Sequence, residues 1–200
     1  MFHVKHSPFL DALAAATADL TLPAGALERR AEHWALVKAW NARVNLTSIT
    51  DDVEAAWRHY RDSLEGLRVL PPGAIVDLGT GPGYPGIPLA LASPERTFTL
   101  VEPRRKRVSF LEVALARLDL ANARSLYGSS TDRPDRAYAA VLTRATFSAA
   151  EEIAECLAWV EPGGIVIAYR SDPSGLPGTR LHRYAIRNHA RVLEIWTKPR

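Results

Sequence analysis

The stretch Val76-Asp77-Leu78-Gly79-Thr80-Gly81-Pro82-Gly83-Tyr84-Pro85-Gly86 decides the fold of this chain. The apolar run Ala74 to Val76 ends at an acid, Asp77, and predicts a short buried strand. The glycines that follow allow a tight turn and let a ligand approach the backbone closely. Pro88 is tolerated only in the first turn of a helix, so a helix is expected from about Pro85.

The same alternation continues toward the C-terminus. Strands are predicted over residues 97–101, 123–127, 139–143 and 165–169, and helices over 104–120 and 149–160. Pro162-Gly163-Gly164 is expected to turn the chain into the fifth strand. Strands alternating with helices predict an α/β fold, with a mostly parallel twisted sheet covered by helices on both faces. Two last runs, 181–186 and 191–197, are expected to pair as an antiparallel hairpin.

The first seventy residues predict helices only. Leu27, Ala31, Trp34 and Val37 fall at spacings of four, three and three, which places them on one helix face. A second helix is predicted over 52–67. The alanine-rich stretch 10–20 is interpreted as a helix and not as a signal peptide, because two aspartates interrupt it. We therefore expect a helical cap, residues 1–70, packed on a core, residues 71–200, within one compact domain.

The composition is that of an ordinary globular protein. Lys+Arg 25 against Asp+Glu 22 gives a net charge of +3, which is only mildly basic. The single cysteine, Cys156, cannot form an internal disulfide, and it is expected to be an inert core residue. No run of eighteen apolar residues is present, so no membrane span is expected. We expect a cytoplasmic protein, a monomer, without a metal site.

An acid, Glu102, ends the second predicted strand. In doubly wound sheets, ligands bind at the carboxyl ends of the strands, and a carboxylate there suits the two hydroxyl donors of a ribose. An adenosine-containing cofactor is therefore indicated. The loop formally matches the dinucleotide fingerprint, but Pro82 and Pro85 lack N–H donors for a pyrophosphate. The frame that opens with Asp77 favours S-adenosylmethionine, whose cationic part a carboxylate can help to position; a purely structural glycine turn is the third alternative.

Beyond these patterns, the chain resembles the GidB family of bacterial 16S rRNA guanine-N7 methyltransferases, also called RsmG, over nearly its whole length. The segments that carry the resemblance are Met1 to His6, Trp40-Asn41, Asn45-Leu46-Thr47, His59, Asp62-Ser63-Leu64, Val76 to Leu89, Lys106 to Leu111 and Thr143-Arg144-Ala145. The extension Gly83-Tyr84-Pro85-Gly86-Ile87-Pro88 is more diagnostic than the glycine loop. The resemblance implies a Rossmann-like class I methyltransferase fold, S-adenosylmethionine as cofactor, and methylation of the guanine numbered 527 in the 530 loop of 16S rRNA within the small ribosomal subunit.

The expected cofactor-binding residues come from the loop and from the resemblance together. They are Asp77, Gly79, Gly81, Gly83, Tyr84, Glu102, Ser130, Thr131 and Arg144. By resemblance, Gly79 and Tyr84 contact the cofactor, Glu102 holds the ribose, and Ser130 and Thr131 lie at the adenine end. The chain departs from the family pattern in three places: Ser129 replaces a frequent arginine, Thr131 replaces an acid, and Arg170-Ser171 replaces a lysine and a glycine.

The chemistry of guanine N7 limits which catalytic groups are needed. N7 is an unprotonated acceptor, so its attack on a methyl group requires no general base. Arg144 is the candidate for orienting the guanine, with a structural ion pair as its alternative. Tyr84 is expected either to stack on a base or to pack against the cofactor helix. His59 and Asp62 share a helix face and are interpreted as a hydrogen-bonded structural pair and not as two metal ligands.

A dense basic run, Arg104-Arg105-Lys106-Arg107, follows the second strand and is expected to contact RNA phosphates, with a solvated surface as its alternative. Weaker candidates of the same kind are Lys5, Arg58, Arg61 and Arg170. Trp34, Trp40 and Trp57 are expected to anchor the cap. Three other functions stay open on the residues: methylation of another RNA base or of a small molecule, RNA binding without catalysis, and a nicotinamide-dependent dehydrogenase.

Overall fold

The computed structural model describes residues 7–132, 134, 136–144 and 150–200. Its strands are β1 (Ala74–Leu78), β2 (Thr97–Glu102), β3 (Ala123–Tyr127), β4 (Tyr138–Arg144), β5 (Val160–Arg170), β6 (Arg180–Ile186) and β7 (His189–Thr197). They form one sheet in the order β3-β2-β1-β4-β5-β7-β6. β1 to β5 are parallel, whereas β7 runs antiparallel to both β5 and β6. The predicted α/β sheet with a terminal hairpin is confirmed.

The helices are α1 (Pro8–Ala16), α2 (Ala26–Val44), α3 (Asp52–Ala55), α4 (Asp62–Leu64), α5 (Gly86–Ala90), α6 (Arg105–Arg117) and α7 (Ala150–Trp159). A π-helical segment, Ala56–Arg61, joins α3 to α4, and a 3-10 segment, Glu65–Arg68, follows α4. We call the continuous stretch 52–68 the cap helix. The helix expected over 10–20 begins earlier, because the Ser7 hydroxyl caps its first turn, and it ends at Ala16.

The start of β5 differs from the prediction. Pro162-Gly163-Gly164 lies inside the strand and does not form a turn before it. Val160 pairs with Tyr138, and the register then shifts before Ile165 pairs with Ala140. Gly163 has a φ of 84°, which a glycine adopts at no steric cost, so the three residues form an irregularity within the strand.

Helices cover both faces of the sheet. One cluster of buried side chains joins the sheet to α7 and contains Cys156 and Trp159, as expected for an inert core cysteine. The other cluster joins the sheet to α5, α6 and the N-terminal helices. Trp40 packs edge-on against Phe110 of α6, which confirms it as an anchor of the cap. Trp34 is buried in this cluster, and its ring stacks on Phe9 within the cap, whereas Trp57 is only half-buried.

Two arginines of α2 tie the N-terminal helices to the core. Arg30 is fully buried, and it donates hydrogen bonds to the carbonyls of Ala26 and Pro88. Burial lowers the pKa of Arg30 to about 10, so its guanidinium stays charged at neutral pH. Arg29 donates to the carbonyl of Leu118 at the end of α6. Among the described residues, no helix is both long and apolar enough to cross a membrane.

Candidate functional site

The predicted site residues meet at the edge of the sheet where the parallel strands end. β1 lies between β2 and β4, so the chain crosses from one half of the sheet to the other at this point. Such a switch in strand order opens a crevice at the carboxyl ends of the strands. Asp77, Glu102 and Arg144 all lie at these ends. The predicted positions of Asp77 and Glu102 at the ends of the first two strands agree with the structure.

The glycine loop is fixed to the sheet by the strand-end carboxylate Asp77. Its Oδ2 accepts hydrogen bonds from the Thr80 hydroxyl at 2.6 Å and from the Gly86 backbone N–H at 2.8 Å. A Cβ on Gly86 would lie 2.3 Å from Leu100 Cδ2, so only glycine fits there. Burial raises the pKa of Asp77 to about 6, and the two hydrogen bonds oppose this shift. Asp77 Oδ1 is buried and has no hydrogen-bond partner in the described part of the chain.

Glu102 faces the loop from the end of β2. Its Oε2 accepts the Gly81 N–H and its Oε1 accepts the Arg104 N–H, each at 3.0 Å. Each carboxylate oxygen can accept about two hydrogen bonds, so each keeps one acceptor site for a further donor. A ribose diol supplies two such donors. The open loop, with Gly81 at a φ of 58°, and the two strand-end carboxylates therefore fit an adenosine-containing cofactor.

Tyr84 packs within the protein, but its aromatic contacts are with His33, His59 and Tyr60 of the N-terminal cap and differ from the packing on the cofactor helix that was expected. Its ring is buried and stacks on His59, with ring centroids 4.4 Å apart. Its hydroxyl donates to the hydroxyl of Tyr60 at 3.0 Å, and the Arg144 guanidinium lies 5.3 Å from its ring centre. The stacking of a nucleic-acid base on this ring is not supported, because protein groups already occupy its surroundings.

Residues of the cap helix fix the side chain of Arg144. It donates to the carbonyl of Arg58 at 3.2 Å and to His59 Nδ1 at 3.3 Å, and it lies 3.6 Å from Asp62 Oδ2. Because His59 Nδ1 accepts, His59 Nε2 carries the proton and donates to the Thr47 hydroxyl. Burial, together with the charge of Arg144, lowers the pKa of His59 to about 2.

The expectation that His59 and Asp62 bind each other is wrong. Asp62 instead accepts hydrogen bonds from the Tyr184 hydroxyl at 2.7 Å and from two guanidinium nitrogens of Arg191 at 3.1 Å each. In the described part of the chain, Arg144 contacts both residues. The reason is that the C-terminal hairpin packs on the cap helix and supplies stronger partners than the helix offers itself.

The adenine-end residues make contacts within the protein. The Ser130 hydroxyl donates to Glu155 of α7 at 2.6 Å, and its carbonyl accepts from the Trp159 indole. The Thr131 hydroxyl bonds the Ser129 hydroxyl at 2.8 Å. Their predicted role at a cofactor remains a prediction. Two parts of the resemblance, the segment Met1 to His6 and the residue Ala145, lie outside the described residues, as does Ala149 at the expected start of α7.

The basic run divides into two parts. Arg104, Arg105 and Lys106 are exposed, and Arg105 lies over the Tyr127 ring at 4.2 Å. Arg107 turns inward and donates to the carbonyl of Asn45 at 2.7 Å, which ties α6 to the loop after α2. Arg170 forms an ion pair with the buried Glu194 at 2.7 Å, and this contact favours a structural role for it.

Sequence reasoning missed His33, Glu155 and Arg191. His33 lies four residues before Val37, so the helical spacing of α2 already indicated that it faces the core. Glu155 and Arg191 carry no comparable signal, because their partners lie in distant segments. Among the described residues, no group of three His, Cys, Asp or Glu side chains is placed to hold a metal ion.

The strand order, the glycine loop after β1 and the acid ending β2 define the Rossmann-like fold of class I methyltransferases. Solved structures share it. The S-adenosylmethionine-dependent methyltransferase SibL in its apo form matches with a TM-score of 0.61, covering 96% of this chain and 74% of that chain at 14% identity. A SAM-dependent methyltransferase from Aquifex aeolicus matches with a TM-score of 0.55, covering 72% and 94% at 15% identity. At these identities the likeness concerns the fold.

The chain belongs to the GidB family, described as rRNA small subunit methyltransferase G, whose family model matches residues 27–181. A ribosomal RNA small subunit methyltransferase G from Alkalilimnicola ehrlichii is 35% identical over 196 residues, 90% of this chain and 87% of that protein. The protein of that name from Myxococcus xanthus is 39% identical over 140 residues, 67% of this chain and 64% of that protein. With the Myxococcus relative, the match thus spans slightly less than two thirds of the relative's length.

Proposed function

We propose that this protein transfers a methyl group from S-adenosylmethionine to N7 of a guanine in 16S rRNA, the guanine numbered 527 in the 530 loop. The observation that carries the proposal is Glu102, buried at the end of β2 beside the glycine loop in a chain of the GidB family. The choice of rRNA as the methyl acceptor is supported by relatives that are named as small-subunit rRNA methyltransferases. The proposed reaction takes place in the bacterial cytoplasm, where small ribosomal subunits are assembled.

The cofactor site uses the carboxyl ends of β1 to β4. Glu102 accepts the ribose hydroxyls through the acceptor sites that the loop leaves open. Gly79, Gly81 and Gly83 let the ligand approach the backbone of the loop, and Asp77 faces the cationic part of the ligand. Ser130 and Thr131 contribute at the adenine end. When bound, S-adenosylmethionine supplies a methyl group on a positively charged sulfur.

The protein groups around this site position the reactants and do not move a proton. His59 and His33 are both neutral, because burial lowers their pKa values to about 2 and about 4. In each of these rings the protonated nitrogen donates a hydrogen bond to a fixed acceptor, and the other nitrogen accepts a hydrogen bond. Guanine N7 has no proton to lose. We therefore assign the rate enhancement to alignment and to fixed charge, with Arg144 orienting the base at its O6 edge.

The exposed residues Arg104, Arg105 and Lys106 extend this site toward RNA phosphates. We further propose that residues 1–70 and 71–200 act as one compact unit, because one hydrophobic cluster includes buried side chains from both segments.

The test uses methyl-labelled S-adenosylmethionine and small subunits from cells that lack the homologous enzyme. After digestion, the labelled nucleoside is identified by mass and its position is mapped. We expect 7-methylguanosine in the 530 loop. A label on another base would support the proposed cofactor and overturn the proposed acceptor. Failure to bind S-adenosylmethionine would overturn the proposed activity and favour RNA binding without catalysis.

A further inference from the structure

A cavity of about 860 Å³ lies between the cap helix and the C-terminal hairpin, beside the ends of β4 and β5. Its lining includes Glu54, Arg58, Asp62, Arg144, Asp172 and Arg191. Ligand sites for small molecules and cofactors have volumes of roughly 300 to 1,000 Å³, so a single nucleotide fits with room for water.

The cavity adjoins the proposed cofactor site through Arg144. This residue ends β4 next to β1 and also lines the cavity. Its charge reaches the loop carboxylate, since it opposes the rise in the pKa of Asp77. A group bound in the cavity therefore lies next to the crevice that holds the glycine loop.

Two guanidiniums are fixed at this cavity by one carboxylate. Asp62 is almost fully buried, binds Arg191 through both of its oxygens, and lies 3.6 Å from Arg144. Arg191 is held a second time by the Ser171 hydroxyl at 2.9 Å. Because these contacts set the geometry before any ligand arrives, little side-chain entropy is lost on binding.

The lining carries charges of both signs. Arg58, Arg144 and Arg191 are offset by Glu54, Asp62 and Asp172. A site for bare phosphate needs an excess of cations, whereas a guanine nucleotide offers acceptors at O6 and at its phosphate and donors at N1 and N2. Asp172 is exposed and makes no polar contact with the described part of the chain, so its carboxylate suits the N–H donors of a guanine edge.

We propose that this cavity receives the acceptor guanine nucleotide, extruded from the RNA, with Arg58 contacting its phosphate and Asp172 its N1–H and N2–H edge. The inference rests on the proposed function and names the protein groups that recognise its substrate. An enzyme that modifies a base inside folded RNA must take the base out of its stack or meet it in a loop, and a pocket beside the methyl donor meets that need.

Arg58 has a matched control. Its side chain is 60% exposed and lies 3.4 Å from Glu54, whereas Arg117 on α6 is 65% exposed, lies 3.5 Å from Glu32 and does not line the cavity. The experiment compares Arg58→Ala with Arg117→Ala, and Asp172→Ala with a second exposed acid on α6, Glu112→Ala. Because all four residues are exposed, the variants are expected to fold, which thermal denaturation verifies.

The readouts are equilibrium binding of unmethylated small subunits without cofactor, the KM for those subunits, and the Kd for S-adenosylmethionine. We expect Arg58→Ala and Asp172→Ala each to weaken subunit binding and raise this KM about tenfold, the loss typical of a hydrogen bond to a charged group. Arg58→Ala should also reduce the slope of log affinity against log salt by about 0.7. Affinity for S-adenosylmethionine should stay unchanged in all four variants.

The outcomes separate the two proposals. If the wild-type protein methylates subunits but the cavity variants bind them as the α6 controls do, the cavity assignment is overturned while the function stands. If Arg117→Ala weakens binding as much as Arg58→Ala does, the effect is one of general charge, and the assignment is equally overturned. If the wild-type protein neither binds S-adenosylmethionine nor transfers a methyl group, the proposed function itself fails.

Discussion

His33 Nε2 donates a hydrogen bond to the carbonyl of Pro82 at 2.9 Å, so a helix of the N-terminal cap holds the glycine loop from within the protein. Because a carbonyl can only accept, the proton is on Nε2, and Nδ1 accepts from the Tyr60 hydroxyl at 2.9 Å. The Tyr60 oxygen in turn accepts from Tyr84. This buried chain of hydrogen bonds begins and ends in the glycine loop and passes through α2 and the cap helix.

The first prediction concerns that chain. His33→Ala removes both hydrogen bonds and leaves a cavity, so we expect it to lower the free energy of unfolding by about 3 kcal/mol. His33→Gln keeps a donor and an acceptor and should cost less than half of this. S-adenosylmethionine affinity should fall in the same order. Denaturant titrations and calorimetric titrations check both effects, and equal losses in the two variants would refute the hydrogen-bonded role.

The second prediction concerns stability in acid. Burial lowers the pKa of His33 from 6.5 to about 4 and that of His59 from 6.5 to about 2. Below pH 6.5 the unfolded chain therefore binds protons that the folded chain does not, and stability falls as the pH falls from 6.5 to 4. Each such proton contributes a slope of up to about 1.4 kcal/mol per pH unit.

Asp77 opposes this trend. Its pKa is raised from 3.8 to about 6, so the folded state binds a proton that the unfolded state releases, and this raises stability as the pH falls through that interval. The net slope should correspond to about one proton, because the unfolded state binds two histidine protons while the folded state binds one at Asp77. His59→Asn should flatten it by up to one proton, which urea unfolding at a series of pH values measures. An unchanged slope in this variant would contradict the assignment of His59 as a neutral buried group.

The third prediction concerns the reaction rate. No proton has to leave guanine N7, and neither His33 nor His59 titrates near neutral pH. The rate constant at saturating substrates should therefore vary less than twofold between pH 7 and 8.5, a change of under about 0.4 kcal/mol in the barrier. Single-turnover methylation of small subunits measures it. A tenfold rise across this range would point to a general base that the proposed mechanism lacks.

The fourth prediction concerns Glu102. Glu102→Ala removes the acceptors for the Gly81 and Arg104 N–H groups and for the proposed ribose contact. We expect S-adenosylmethionine affinity to fall at least tenfold, about 1.4 kcal/mol or more, and methylation to be lost. Glu112→Ala, an exposed acid on α6, is the control and should bind normally. Normal binding by Glu102→Ala would remove the observation on which the proposed function rests.

The fifth prediction concerns the close approach at Gly86. In Gly86→Ala, the new methyl group would lie 2.3 Å from Leu100 Cδ2 and 2.8 Å from Asp77 Oδ2. Relieving these contacts should cost about 1 to 3 kcal/mol of stability. Gly175→Ala, which meets nothing within 4 Å but has a φ of 77°, should cost about 1 to 2 kcal/mol from backbone strain alone. Only Gly86→Ala should also weaken cofactor binding, as titration of the two variants would show.

Local patterns predicted the strands well and the irregularity in β5 poorly. β3 has the predicted bounds, 123–127, because residues typical of turns and loops flank it, Asn122 before it and Gly128-Ser129 after it. Pro162-Gly163-Gly164 was predicted as a turn, since these residues usually end a strand. It remains in β5 because the pairing of Val160 with Tyr138 extends the sheet beyond it, and a strand partner is not visible in a local window.

The sequence alone determined that Asp77 and Glu102 lie at one edge of the sheet, because parallel strands end together and both residues lie at strand ends. Only the tertiary structure decided their partners. Asp62 and Arg191 lie far apart in the chain and meet because the hairpin packs on the cap helix. Periodicity shows which side chains face inward, but a hydrogen bond also needs a partner at the right distance and angle, which the packing of distant segments alone provides.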